Sequence, residues 1–232
     1  MPLDVQRIEA PLNLSEMVYA SVKKSIMNLD WSDVSSEVRF DERGVAKRLG
    51  VSRTPLREAV RRLVLEGFLK VEPRKGLFVV KKSKTDMIEI LLVRSALEGL
   101  ASRLATKLAT KEDIQRIKRI FSPFHAKARK NMLGSFSKYS EANIEFHELI
   151  IQLSRCRKLI ELAGSLFDHM RWIRSWSIYT ASFQKRFPKI HNEHLEIIKA
   201  IEKGDPDLAE KRMRAHIDGL VHHLEQDVNF PA

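Results

Sequence analysis

Val45-Ala-Lys-Arg-Leu-Gly-Val-Ser-Arg-Thr-Pro-Leu-Arg-Glu-Ala-Val-Arg-Arg-Leu63 reads as two short helices on either side of a tight turn. Val45, Ala46 and Leu49 are the apolar members of the first helix, and Gly50-Val51 makes the turn. Ser52 is placed to cap the next helix, where its hydroxyl can accept from a free backbone N–H. Pro55 falls in the first turn, where its missing donor costs little. Leu56, Ala59, Val60 and Leu63 then recur at i, i+3, i+4 and i+7 and share one face. Arg53, Arg57 and Arg61 step four residues apart on the opposite face. Two helices, a tight turn and a basic outer face describe a helix-turn-helix, whose second helix enters a major groove. Arginine at the start of that helix suits the two acceptors of a guanine edge, and Ser52 and Thr54 suit phosphate or base contacts.

Outward from this core, Leu14, Met17, Val18, Val22, Ile26 and Leu29 mark an amphipathic helix upstream, followed by a polar stretch from Asp30 to Glu37. Downstream, Gly67 is placed to end the second helix of the pair. Phe68–Glu72 and Leu77–Val80 read as strands, with Pro73-Arg74-Lys75-Gly76 as the turn between them. A basic hairpin beside a recognition helix is a wing, able to enter the adjacent minor groove.

The 232 residues carry 41 Lys and Arg against 30 Asp and Glu, a formal charge of +11, so an anionic partner is expected. With 44% hydrophobic and 31% charged residues there is ample material for a core, which excludes a disordered tail. A single cysteine, Cys156, excludes a disulfide framework and fits a reducing cytoplasm. Apolar runs such as Ile90–Val93 and Leu149–Ile151 are too short to cross a bilayer, and no export signal opens the chain. Residues 1–82 are net +5 and residues 83–232 net +6, so the total does not locate the partner. The window Arg43–Arg62 does: Arg43, Lys47, Arg48, Arg53, Arg57, Arg61 and Arg62 face one acid, Glu58.

Beyond a basic linker at Lys81–Lys84, the pattern is helical throughout, with helices near 86–108, 112–131, 136–154, 156–178, 182–203 and 206–227. Thr110 can cap the second of these, Gly134 is read as a break before the third, and Asp205-Pro206 is a start signal for the last. With no strand pattern, Gly-rich phosphate loop or internal repeat, this half is an antiparallel helical bundle. Asn143 and His147 lie four apart on one helix face, His194 falls on the fifth helix, and His216 recurs with Met213, Ile217, Leu220 and Leu224 on the sixth. Three imidazoles and an amide oxygen converging in a bundle would suit a divalent metal such as zinc, nickel or manganese. From spacing alone, ordinary half-buried polar histidines are the favoured reading, since His125, His169, His191, His222 and His223 also occur.

The segment from Val45 to Leu63, with Glu66-Gly-Phe-Leu and Lys75-Gly-Leu-Phe-Val, resembles the winged-helix domain of GntR-family transcriptional regulators. The resemblance implies DNA contacts at Arg43, Ser52, Arg53, Thr54 and Arg57, a wing tip at Gly76, and a minor-groove approach at Lys75. Relatives usually carry a Pro-Gly turn upstream, where this chain has Trp31-Ser-Asp-Val-Ser-Ser-Glu37, so the path of a first short strand is open. Glu141-Ala-Asn-Ile-Glu-Phe-His147, Glu193-His194 and the run from Gly204 to His216 resemble the FCD ligand-binding domain of the FadR subfamily. That implies a divalent metal held by Asn143, His147, His194 and His216, with Asn143 standing where aspartate is usual, and a small carboxylate effector beside it. Arg94-Ser-Ala-Leu-Glu98 also matches, implying that Arg94 pairs with the effector carboxylate; an Arg94–Glu98 pair on the helix surface is the other reading.

The expected fold is thus mainly α. It comprises a winged helix-turn-helix over 1–80, a linker over 81–85, and an effector-binding and dimerisation bundle of about six helices over 86–228. The expected function is a cytoplasmic, homodimeric repressor on a palindromic operator, and no enzyme. The competing readings are a metal-dependent hydrolase with Glu145 or Glu148 as base, and a nonspecific nucleic-acid binder.

Overall fold

The computed structural model of the chain describes residues 14–29, 37–124, 132–177 and 181–226. These form two compact units, one ending at Lys81 and the other starting at Lys82.

The first unit contains α1 (Leu14–Met27), α2 (Glu42–Leu49), α3 (Arg53–Leu65), β1 (Leu69–Glu72) and β2 (Gly76–Val79). Asp41 caps α2 by accepting from the Arg43 N–H. Gly50 ends α2 at φ 66°, a left-handed conformation that a Cβ would strain. From there the Gly50 and Val51 N–H groups reach back to the Lys47 and Ala46 carbonyls. The same motif closes α3, with Gly67 donating to Val64 and Phe68 to Leu63, and it seats Phe68 in the core. Leu56, Ala59, Val60 and Leu63 are buried as their spacing requires.

Ser52 stands at the N-cap of α3, but its side chain makes no capping hydrogen bond, so the hydroxyl stays on the exposed face. In α1 the expected apolar stripe is also revised. Leu14 and Met17 are exposed, while Tyr19 and Lys23 are buried with Val18, Val22 and Ile26. The reason is polar: Lys23 Nζ and Tyr19 Oη both donate to the Glu66 carboxylate at the end of α3.

β1 and β2 pair antiparallel from Leu69↔Val79 to Glu72↔Gly76. A bridge between Arg39 and Phe78 lays residues 38–40 along the free edge of β2, so the first short strand is reduced to one bridge. Trp31–Ser36 lies outside the described residues.

Among the described residues the second unit is a bundle of six α-helices: α4 (Lys84–Leu108), α5 (Lys111–Phe121), α6 (Met132–Leu153), α7 (Arg157–Ser177), α8 (Ala181–Glu202) and α9 (Pro206–Gln226). α4 starts inside the stretch read as linker because Ser83 and Asp86 form a reciprocal capping box. Thr110 and Asp113 do the same for α5. α5 ends ten residues earlier than its pattern suggested, passing at Ser122–Phe124 into a single 3-10 turn that contains Pro123. Gly134 does not break the chain but lies inside α6, since one helical glycine costs only about 1 kcal/mol. Asp205 caps α9 by accepting from the Leu208 N–H.

α4 is the central helix, packing on α6, α7, α8 and most extensively on α9. Phe121, Phe146, Ile150, Ile197 and Ile201 fill the core beneath it.

Candidate metal centre and nucleic-acid interface

Each histidine arrives on a different helix: His147 on α6, His194 on α8 and His216 on α9. They are 1%, 0% and 1% exposed, and one ring nitrogen from each lies within 4.8 Å of the others. His147 Nε2 and His194 Nε2 are 3.3 Å apart, and His216 Nε2 is buried with no hydrogen-bond partner. Phe121 stacks on the His194 ring at 4.8 Å and Phe146 meets it edge-on at 5.0 Å, so the cluster has aromatic walls.

The opposite nitrogens are all engaged. Tyr139 Oη lies 2.9 Å from His194 Nδ1, and Glu193 Oε2 lies 2.8 Å from His216 Nδ1. His147 Nδ1 sits 2.5 Å from Glu98 Oε2, a close contact without hydrogen-bond alignment. A carboxylate at Nδ1 favours the proton there, which makes Nε2 the acceptor nitrogen on His147 and His216.

Burial disfavours the imidazolium, pulling His147 down to about 4 despite Glu98 and His194 well below its ordinary value. Those two rings are therefore neutral at pH 7, the form that binds metal. Three buried ring nitrogens this close together, with the outer nitrogens of His194 and His216 hydrogen-bonded and His216 Nε2 left without a partner, could hold a metal ion. Asn143 lies one turn before His147 on α6, half-buried.

Arg94 is 3% exposed, so its pair with Glu98 is not on the helix surface. Its Nε is 2.5 Å from Glu98 Oε1, which links Arg94 through Glu98 to His147. Burial raises the Glu98 pKa, but Arg94 and His147 outweigh it and hold the carboxyl at about 2. Sequence spacing pointed to the histidines and Arg94; it missed Glu98 as a partner of His147, Glu193 as a partner of His216, and Tyr139 altogether. Each of these three comes from a different helix than the histidine it contacts, so local spacing carried no signal for the contacts.

Glu145 is exposed and Glu148 pairs with Arg171, so the acids imagined as bases lie apart from the triad's contacts.

On the winged-helix unit, Arg43, Ser52, Arg53, Thr54, Arg57, Lys75 and Gly76 are all exposed. Arg43, Arg57, Arg61 and Gly76 share the lining of one cleft of about 1130 Å³ with Arg39. Arg39 was not anticipated; its guanidinium lies beside Gly76, placed there by the bridge to Phe78. Arg62 drops out of the basic window as a structural residue. It pairs with Glu16 at 2.9 Å and Glu66 at 3.0 Å and lies 3.8 Å over the Tyr19 ring.

No described helix is long and apolar enough to cross a membrane.

Comparison with known proteins agrees with both units. Residues 14–79 match the gntR family of bacterial regulatory proteins, and residues 89–219 match the FCD domain. The Nta operon transcriptional regulator of Aminobacter aminovorans is 31% identical over 81% of this chain and 83% of its own length. The transcriptional repressor RspR of Escherichia coli K12 is 24% identical over 94% of each. The solved structure of E. coli McbR/YncC superposes with a TM-score of 0.69 at 20% identity, covering 94% of this chain and all of that one. These matches are to regulators and not to enzymes, and the chain belongs to the gntR family of bacterial transcriptional regulators, with an FCD domain as its helical part.

Proposed function

We propose that this chain is a repressor of the FadR subfamily that binds a palindromic operator as a homodimer. It is controlled by a small carboxylate effector held with a divalent metal in the helical domain. The reading divides the chain into a DNA-binding domain over 1–80, a linker over 81–85 and an effector domain over 86–228. The observation that carries it is the buried triad, in which one ring nitrogen of each histidine lies within 4.8 Å of the others.

His147, His194 and His216 would hold the ion, with the Asn143 amide oxygen as a neutral fourth ligand. The ion supplies a Lewis-acidic point of attachment for an effector oxygen. Arg94, already oriented by Glu98, would meet the effector's carboxylate.

At the other end, Arg53 and Arg57 read base edges. Arg43, Ser52 and Thr54 fix the recognition helix on the duplex, and Lys75 and Gly76 bring the wing to the minor groove. Support for a homodimer comes from Leu92, Val93 and Leu100, which stay 52%, 49% and 41% exposed along α4 and offer apolar surface for a second copy to cover. Effector and operator affinities are then reciprocally coupled. The single cysteine suits a cytoplasmic setting.

The test joins two measurements. Elemental analysis should find metal in the wild type and none in a His147→Ala/His216→Ala variant; equal contents refute the centre. Anisotropy titrations should show the wild type preferring its operator over a scrambled duplex. Equal affinity with a steep salt dependence would replace the reading with nonspecific binding.

A further inference from the structure

Arg186 on α8 is a buried cation with idle donors. Its side chain is 10% exposed, and Nη1 donates to the Gly219 carbonyl of α9. Nε and Nη2 have no hydrogen-bond partner among the described residues. Among the described residues the one carboxylate within 4 Å of the guanidinium is Glu193, whose Oε1 stands 3.9 Å from Nη2, too far for a hydrogen bond. The other oxygen of Glu193 is already taken by His216 Nδ1 at 2.8 Å.

A buried guanidinium in this condition is costly, and burial accordingly pulls its pKa down against the pull of Glu193. Nε and Nη2 lie on the same edge of the planar group. Their two parallel N–H bonds form the side-on fork that matches the two oxygens of a carboxylate.

The backbone is adapted to this position. A Cβ at residue 219 would lie 2.6 Å from Nη2, so glycine there lets the guanidinium rest against α9. Gly219 follows His216 by three residues, about 4.5 Å along the helix. The fork therefore sits about one turn from the third histidine, on the far side of Glu193.

We propose that Arg186 is a carboxylate anchor of the effector site, gripping the ligand side-on through Nε and Nη2 beside the histidine cluster. The inference rests on the reading that the helical domain binds a small carboxylate. It assigns a residue that sequence spacing did not single out. The two arginines differ before any ligand binds: Arg94 is already paired with Glu98, whereas Arg186 completes its pairing with the ligand.

The test uses the full chain with one equivalent of zinc and titrates succinate, lactate and benzoate by calorimetry, each against its neutral amide. At least one acid should bind while its amide does not, and Arg186→Gln should weaken that acid at least about tenfold. Without ligand, Arg186→Gln should melt about 2 °C or more above the wild type, because an uncompensated charge has been removed. Gly219→Ala, which pushes the guanidinium aside, should weaken the same acid, and it decides the matter alone if Arg186→Gln does not fold.

Unchanged acid affinity in Arg186→Gln overturns the anchor and leaves the carboxylate reading standing. A fall in the ligand-free melting temperature also overturns it, by making Arg186 a structural tie to Gly219. Binding of none of the acids by the wild type overturns both.

Discussion

Replacing Arg94 with methionine keeps the length and apolar stem of the side chain but removes the charge that compensates Glu98. Glu98 is 1% exposed, its Oε1 is 2.5 Å from the Arg94 Nε, and its Oε2 faces only His147, which burial keeps neutral at pH 7. The variant would leave a buried carboxylate without a cation, and breaking a buried pair in this way costs about 3–5 kcal/mol. In a domain of this size 1 kcal/mol corresponds to roughly 2–4 °C, so the melting temperature of the helical domain should fall by about 6–20 °C.

Differential scanning calorimetry of the chelator-treated chain is the assay. A double variant, Arg94→Met/Glu98→Gln, removes the stranded charge as well and should melt above Arg94→Met alone. A fall of less than about 2 °C, or a double variant no better than the single, would refute the internal pairing. The sign is the informative part: loss of Arg94 should destabilise the ligand-free protein, whereas loss of Arg186 should stabilise it.

Arg57→Ala should cost about 1–3 kcal/mol of operator affinity and relax discrimination at one base pair, read by anisotropy against single-substitution duplexes; a uniform loss across all sequences would make it a phosphate contact instead. Tyr139→Phe removes the partner of His194 Nδ1 and should weaken metal binding roughly 10–100-fold in a competition titration with a chelating dye, and an unchanged affinity would show that Tyr139 does not orient the ring. Glu66 is pushed up by burial but lowered on balance by Lys23, Tyr19 and Arg62, so its stabilisation is present above the ordinary carboxylate value of 4.5 and is lost as pH falls below it. The melting temperature of Glu66→Gln should therefore lie below that of the wild type at pH 7 and converge with it by about pH 3; a gap independent of pH would contradict this.

Much of the winged helix was legible because its signals are local. The Gly50 turn, the spacing of Leu56, Ala59, Val60 and Leu63, and the Pro73–Gly76 hairpin act through residues close in the chain, and they recur in the structure nearly as spaced. Leu14 and Met17 were misassigned to the buried face of α1 because that face is chosen by Glu66, more than forty residues away. Arg62 was counted as a free base for the same reason, since its partners Glu16 and Glu66 come from a different helix and a helix end.

The histidines show the division most clearly. Their positions on three helices followed from periodicity, and the expectation of a metal from the FCD resemblance, but periodicity gives each helix a face without giving any face a neighbour. By itself the sequence determined the helix-turn-helix, the wing and a six-helix bundle, because turn chemistry and apolar spacing need only the local chain. Only the tertiary structure decided that His147, His194 and His216 converge and that Glu98, Tyr139 and Glu193 hold their outer nitrogens. It alone showed that Arg94 is satisfied while Arg186 is not, because burial and pairing are set by which helices pack together.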